Sequence, residues 1–126
     1  RYYKDFEEYW LEGGSEPISK AEVWNRVQFG SSAMIERRRD EDRGVYVSVE
    51  CECDWEPEHG LQIVFKNGQR VNKLGPYDGH LTNSDAYARG NLENVVYYSP
   101  RPAGGMIARL WRPRPCRPMP RRTRDN

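Results

Sequence analysis

Val45-Tyr46-Val47-Ser48-Val49-Glu50-Cys51-Glu52-Cys53-Asp54-Trp55-Glu56-Pro57-Glu58-His59-Gly60-Leu61-Gln62-Ile63-Val64-Phe65 occupies the centre of a chain of 126 residues. Val45, Val47, Val49, Cys51 and Cys53 alternate with Tyr46, Ser48, Glu50 and Glu52. A period of two places the valines and both cysteines on one face of a strand. Glu50 and Glu52 point the other way, so the second face is expected to be wet. Leu61 to Phe65 forms the next strand, and Lys66-Asn67-Gly68-Gln69 follows it. Asn-Gly is a strong hairpin signal, because both residues tolerate positive φ. Arg70-Val71-Asn72-Lys73-Leu74 supplies a third strand. The centre is therefore an antiparallel meander. Residues 54–60 form a loop at one end of it, and Pro57, which cannot donate to a ladder, fits a loop.

This loop and the segment after the third strand carry the candidate functional residues: Asp54, Trp55, Glu58, His59, Asp78 and His80. In a meander the segment leaving the third strand emerges at the same end as the loop, so His59 and His80 are expected to approach each other. Two imidazoles with the carboxylates of Glu58 and Asp78 make a donor set capable of holding a divalent metal such as zinc. The spacing matches no established zinc pattern. The competing reading is structural. Glu58 accepts loop N–H groups, Gly60 takes a positive φ, and Trp55 closes the end of the core. Cys51 and Cys53, two apart on a valine-lined face, read as small buried apolar groups.

Outside the centre, Tyr2, Phe6, Tyr9 and Trp10 recur at helical spacing, and Gly13-Gly14 ends the pattern. This aromatic stripe is expected to pack on the sheet or on a second copy of the chain. Ser19 and Glu22 have capping-box spacing before Val23-Trp24. Residues 27–29 and 33–37 look like strand pieces interrupted by Gly30-Ser31-Ser32, and residues 37–44 like a solvated charged hairpin loop. Thr82, Asn83 and Ser84 can each cap a short helix through Tyr87. Residues 91–98 read as a last strand or a packed extended segment.

One domain over residues 1–98 and a Pro/Arg-rich extension over 99–126 account for the whole length. From Arg101 onward there are eight arginines and one acid, a net +7, so the remainder carries −6 to reach the overall +1. The extension favours extended chain over core, with residues 106–111 as its one apolar island. Its charge permits acidic partners, nucleic acid included, but it lacks the interleaved aromatics of a stacking platform. Nothing approaches the ~20 apolar residues that span a bilayer. Three cysteines, two of them nearly adjacent, make no disulfide framework and suggest a reducing compartment. With no signal peptide at the start of the given sequence, a cytoplasmic location is expected.

The run from Val45 to Gln62, with Trp55, Glu58, His59, Gly60 and Leu61 at its heart, resembles a bacterial family of unknown function with a Trp-x-x-Glu-His-Gly-Leu signature. Asp78-Gly79-His80-Leu81-Thr82 and Asp85-Ala86-Tyr87 extend the resemblance, which covers roughly residues 23–87. It implies a small cytoplasmic protein and assigns no catalytic residue. Some similar proteins are encoded among toxin-immunity genes, which implies binding. The sequence therefore predicts an α+β fold, with an N-terminal helix packed on an antiparallel sheet. Its leading function is a non-enzymatic, immunity-like protein that needs no cofactor and binds another protein. The alternative is a metal-dependent hydrolase using Glu58, His59, Asp78 and His80.

Overall fold

A computed structural model describes residues 1–38 and 42–100. The basic extension from Arg101 and the centre of the 37–44 connection lie outside the described residues. Helix α1 (Tyr2–Glu12) precedes four strands, β1 (Val27–Arg37), β2 (Val45–Cys53), β3 (Leu61–Lys66) and β4 (Arg70–Gly75). A short helix α2 (Asn83–Tyr87) follows. The strands form one antiparallel meander in the order β1-β2-β3-β4. The expected α+β architecture is the observed one.

The alternation read in β2 sets the two faces of the sheet. Cys51 pairs with Leu61 and Val49 with Ile63, and directly opposed residues share a face. On this face Val27, Cys51, Cys53, Leu61 and Ile63 meet Tyr2, Tyr3, Ile18 and Trp55 in the main core, with Phe6 and Trp10 packed against it. The helix turns Tyr3 inward and leaves Tyr9 exposed, so its buried stripe is rotated from the expected one. Side-chain tips fix its position: the Tyr2 hydroxyl donates to the Gly60 carbonyl at 2.7 Å, and the Ile18 amide donates to the Tyr3 hydroxyl at 2.9 Å.

The second face is wet only in part. Glu50 and Glu52 are exposed, but Tyr46, Ser48, Gln62, Val64 and Lys73 are buried beneath the chain that follows β4. Tyr46 and Val64 meet Leu81 there, and the Asn72 side-chain amide donates to the Leu81 carbonyl at 3.1 Å. Thr82 caps α2 by accepting from the Asp85 amide at 3.0 Å. Of residues 91–98 none forms a strand: Gly90–Leu92 is a single turn of 3-10 helix, residues 93–94 continue it as a turn, and from residue 95 the chain runs beside β4, where the Leu74 amide donates to the Val96 carbonyl at 2.8 Å. That contact covers part of the β4 edge.

The Asn-Gly turn fits its sequence signal, and the expected interruption of β1 does not occur. Asn67 and Gly68 adopt φ 54° and 67°, as a tight hairpin after β3 requires. Gly30-Ser31-Ser32 is a bulge inside one continuous β1, where the register shifts between Phe29 and Ala33. A Cβ at Gly30 would lie 2.9 Å from the Glu50 carbonyl oxygen. Among the described residues, no helix is long and apolar enough to cross a membrane.

Candidate functional site

The loop of residues 54–60 closes the end of the core. Trp55 is 4 % exposed, and its ring meets those of Tyr2 and Tyr3 edge-on at 5.8 and 5.9 Å. Its indole N–H has no partner among the described residues. Gly60 has φ +67°, and a Cβ there would collide with the Cys51 carbonyl oxygen. The loop carboxylate that binds backbone is Glu56, not Glu58. Glu56 Oε1 accepts from the Glu58 amide, and Oε2 accepts from the His59 amide, both at 3.0 Å. His59 Nδ1 lies 2.9 Å from the same Oε2. Glu56 is buried and Glu58 exposed. Sequence reasoning missed Glu56. The available signal was its place just before Pro57, where a carboxylate can bond amides two and three residues on.

The expected ligand set is divided. Ligand atoms of Glu56, Glu58 and His59 lie within 4.8 Å of one another, a group capable of holding a cation. Both Glu56 oxygens, however, already accept N–H groups. Asp78 is part of a polar chain on the second face. The buried Lys73 Nζ donates to Asp78 at 2.8 Å and to the Gln62 side-chain carbonyl at 2.9 Å, and the Gln62 amide donates to Ser48 at 2.8 Å. Asp78 also accepts from the His80 amide at 2.9 Å. His80 itself lines an open groove of about 910 Å³ with Arg38, Asp42, Asp85, Arg89 and Glu93. Arg38 and Asp42 flank the β1–β2 turn, whereas the 54–60 loop joins β2 and β3 at the opposite end of the sheet. The structure therefore does not gather His59 and His80 at one point. Asp54, at the loop's start, is exposed and faces Arg26 at 3.7 Å and Gln28 at 3.3 Å.

Arg38 corrects the solvated-loop expectation for its part of the 37–44 connection. It is buried, donates to both Asp85 oxygens at 2.8 and 2.9 Å, and pairs with Glu93. Hydrogen bonding to Arg38 holds the Asp85 carboxyl below its usual range, and Asp85 and Glu93 in turn raise the guanidinium's affinity for its proton. On the other face, burial pushes the Cys53 thiol up to about 12 and raises Cys51 as well. Both stay protonated at neutral pH and offer no thiolate nucleophile.

A different surface lies along β1. Phe29, Ala33 and Ile35 pair with Cys51, Val49 and Val47, so they share the face that α1 packs on. The helix does not cover them: Phe29 is 61 % exposed and Ile35 70 %. Trp24, just before the strand and 51 % exposed, stacks on Phe29 with ring centroids 6.5 Å apart. β1 is an edge strand, and its outer side makes no backbone hydrogen bond among the described residues. The sequence reading treated these residues as interrupted strand pieces. Their only signal was the apolar alternation of Phe29, Ala33 and Ile35 across the bulge.

Neither the curated proteins nor the solved structures gave a match. Residues 1–81, which contain α1, all four strands and the 54–60 loop, match the family described as a domain of unknown function, DUF6985, and the chain belongs to that family.

Proposed function

We propose that this domain is a non-enzymatic binding protein. In this reading it belongs to a bacterial, cytoplasmic, immunity-like class that blocks a partner protein by covering it. The observation that carries the reading is the exposure of Trp24, Phe29 and Ile35 beside the edge of β1 that makes no backbone hydrogen bond among the described residues. Contiguous exposed apolar surface marks interaction sites, and an unpaired strand edge offers backbone groups to a partner strand. Stacked aromatics are the residues that dominate interface energetics. The test is quantitative capture from cells with the parent and with the Trp24→Ser/Phe29→Ser variant, followed by titration of the captured protein in purified form. Binding that weakens at least about tenfold in the variant, with unchanged folding, supports the reading. Equal binding by both sinks it.

A metal-dependent hydrolase remains the second reading, favoured by the convergence of Glu56, Glu58 and His59. Such a site would supply a metal-bound water of lowered pKa. Calorimetric titration with zinc decides it: micromolar binding that is lost in His59→Ala supports the site, and no heat of binding removes it.

A further inference from the structure

We infer that the partner docks on β1 as an added strand, through a short extended segment that alternates apolar residues with lysine or arginine. The inference rests on the binding proposal above and adds to it the chemistry of the partner.

The backbone part comes from the edge itself. β1 makes no backbone hydrogen bond on its outer side among the described residues, and no proline or lysine guards it. The bulge at residues 30–32 divides the strand, but its register with β2 is regular from Ala33 to Arg37. In an antiparallel ladder every second residue turns its N–H and C=O outward. Five residues in register are the usual length of a strand, so a segment of similar length can pair there. The opposite edge differs, because Leu74 of β4 already donates to Val96.

The side-chain part comes from the two faces beside that edge. On the core face Phe29, Ala33 and Ile35 oppose Cys51, Val49 and Val47, and all three of these β1 residues are exposed. A partner side chain on this face gains by being apolar. On the second face Gln28 opposes Glu52, Glu36 opposes Tyr46, and Glu50 opposes Gln62. Glu36, Glu50 and Glu52 are exposed, and none has an ion-pair partner among the described residues.

The basic groups nearby are placed elsewhere or already paired. Arg37 opposes Val45, on the core face, and donates to the Arg43 carbonyl. Arg26 faces Asp54 at 3.7 Å, and Lys66 is held by Asp42 at 3.2 Å. A basic partner residue on the second face would therefore have Glu36 on the adjacent strand. Glu50 and Glu52 would lie two strand spacings or ~10 Å away, comparable to a Debye length of about 8–10 Å. An acidic residue there would meet like charge. Successive side chains of a strand point to opposite faces, so the apolar and the basic demand fall on alternate residues of one segment.

The probe is a short blocked peptide of alternating lysine and valine, titrated into the full-length chain and followed by its backbone amide resonances. Shifts are expected to centre on residues 33–37, with slower exchange of the outward amides there. Two further peptides carry N-methyl groups, one on the lysines and one on the valines. An added strand turns only one of these sets toward β1, so one methylated peptide is expected to bind at least about tenfold more weakly than the other. A glutamate–valine peptide is expected to bind the parent at least about tenfold more weakly than the lysine peptide. That preference should reverse in Glu36→Lys/Glu52→Lys but not in Glu8→Lys/Glu12→Lys, which changes the net charge equally at exposed positions of α1. No binding of the lysine peptide, equal affinity of the two methylated peptides, or a preference that is absent or follows net charge alone overturns the inference. Protection of the outward β1 amides before any peptide is added, or protection that rises with protein concentration, overturns it too, because this chain would then occupy the edge itself. None of these results touches the binding proposal, which fails only if Trp24→Ser/Phe29→Ser binds its captured partner like the parent.

Discussion

Residues 54–60 and strand β1 handle their side chains in opposite ways. The loop holds three acids, a histidine and a tryptophan in seven positions, and it turns the most consequential of them inward. Trp55 plugs the core, Glu56 binds two amides and the His59 ring, and Gly60 lies against Cys51. β1 has little ionic chemistry, yet it turns Phe29 and Ile35 to water. Each buried N–H left unmet in the loop would cost about 1–3 kcal/mol, so a carboxylate beside such donors is drawn into the fold. Apolar area left in water forgoes about 25 cal/mol per Å², so exposure on β1 is the feature on which the binding proposal rests. Dense local chemistry here marks a closed structure, and bland sequence marks the open surface.

The comparison breaks first at Trp55. Trp55→Ala is expected to cost about 3–5 kcal/mol in urea denaturation, because it empties the space between Tyr2, Tyr3 and the sheet. Trp55→Phe should cost much less, since it also removes a buried N–H that has no partner among the described residues. A parent-like midpoint for Trp55→Ala would mean that the loop is not structural.

Glu56 and Glu58 sharpen the contrast within the loop. Glu56→Gln weakens two charge-assisted bonds to amides and is expected to lose about 1.5–3 kcal/mol. The exposed Glu58→Gln should stay within about 0.5 kcal/mol of the parent. Denaturation midpoints for the two variants settle the ranking, and equal losses would reinstate Glu58 as a partner of the loop.

That ranking also shows what could be seen from sequence. The meander, the Asn-Gly turn and a helix cap within Thr82–Ser84 were legible because each is set by neighbours in the chain, whereas the joining of the two β1 pieces through a bulge was not. The choice of Glu56 over Glu58 depends on how the loop winds after Pro57, which composition does not encode. The path of His80 was hidden for a related reason. β4 does end level with the loop, where Gly75 pairs with Gln62, but the chain then doubles back over the second face. Arg38 sat in a run of mixed charge that resembles any solvated turn, and its partners Asp85 and Glu93 are 47 and 55 residues away.

The Arg38 cluster tests the opposite end of the sheet from the loop. Asp85 titrates below its ordinary value in the folded state because Arg38 bonds to its carboxylate. Its contribution to stability is thus fully present above the unfolded-state value, near 4, and is lost as pH falls through the lower folded value. Thermal melts from pH 7 down to pH 2 should show the parent losing stability over that acid range. Asp85→Asn should start lower at pH 7 and lose less on acidification. Parallel acid limbs for the two proteins would show that this ion pair contributes little to folding.

The smallest expected effect on stability belongs to the surface with the largest expected effect on binding. Trp24 and Phe29 lie mostly in solvent and stack chiefly on each other. An aromatic pair of this kind is worth about 0.5–1.5 kcal/mol when it is well packed, and less where water reaches both rings. Trp24→Ser/Phe29→Ser is therefore expected to unfold within about 0.5 kcal/mol of the parent. Serine keeps the strand edge and its amides in place, so the variant removes side-chain contacts and leaves any backbone pairing possible. Urea denaturation gives the first number and titration of the captured partner the second. A loss of several kcal/mol in stability would place these rings in the core and return β1 to the same class as the loop. Unchanged stability together with weakened binding would leave the two regions as different in function as they are in exposure.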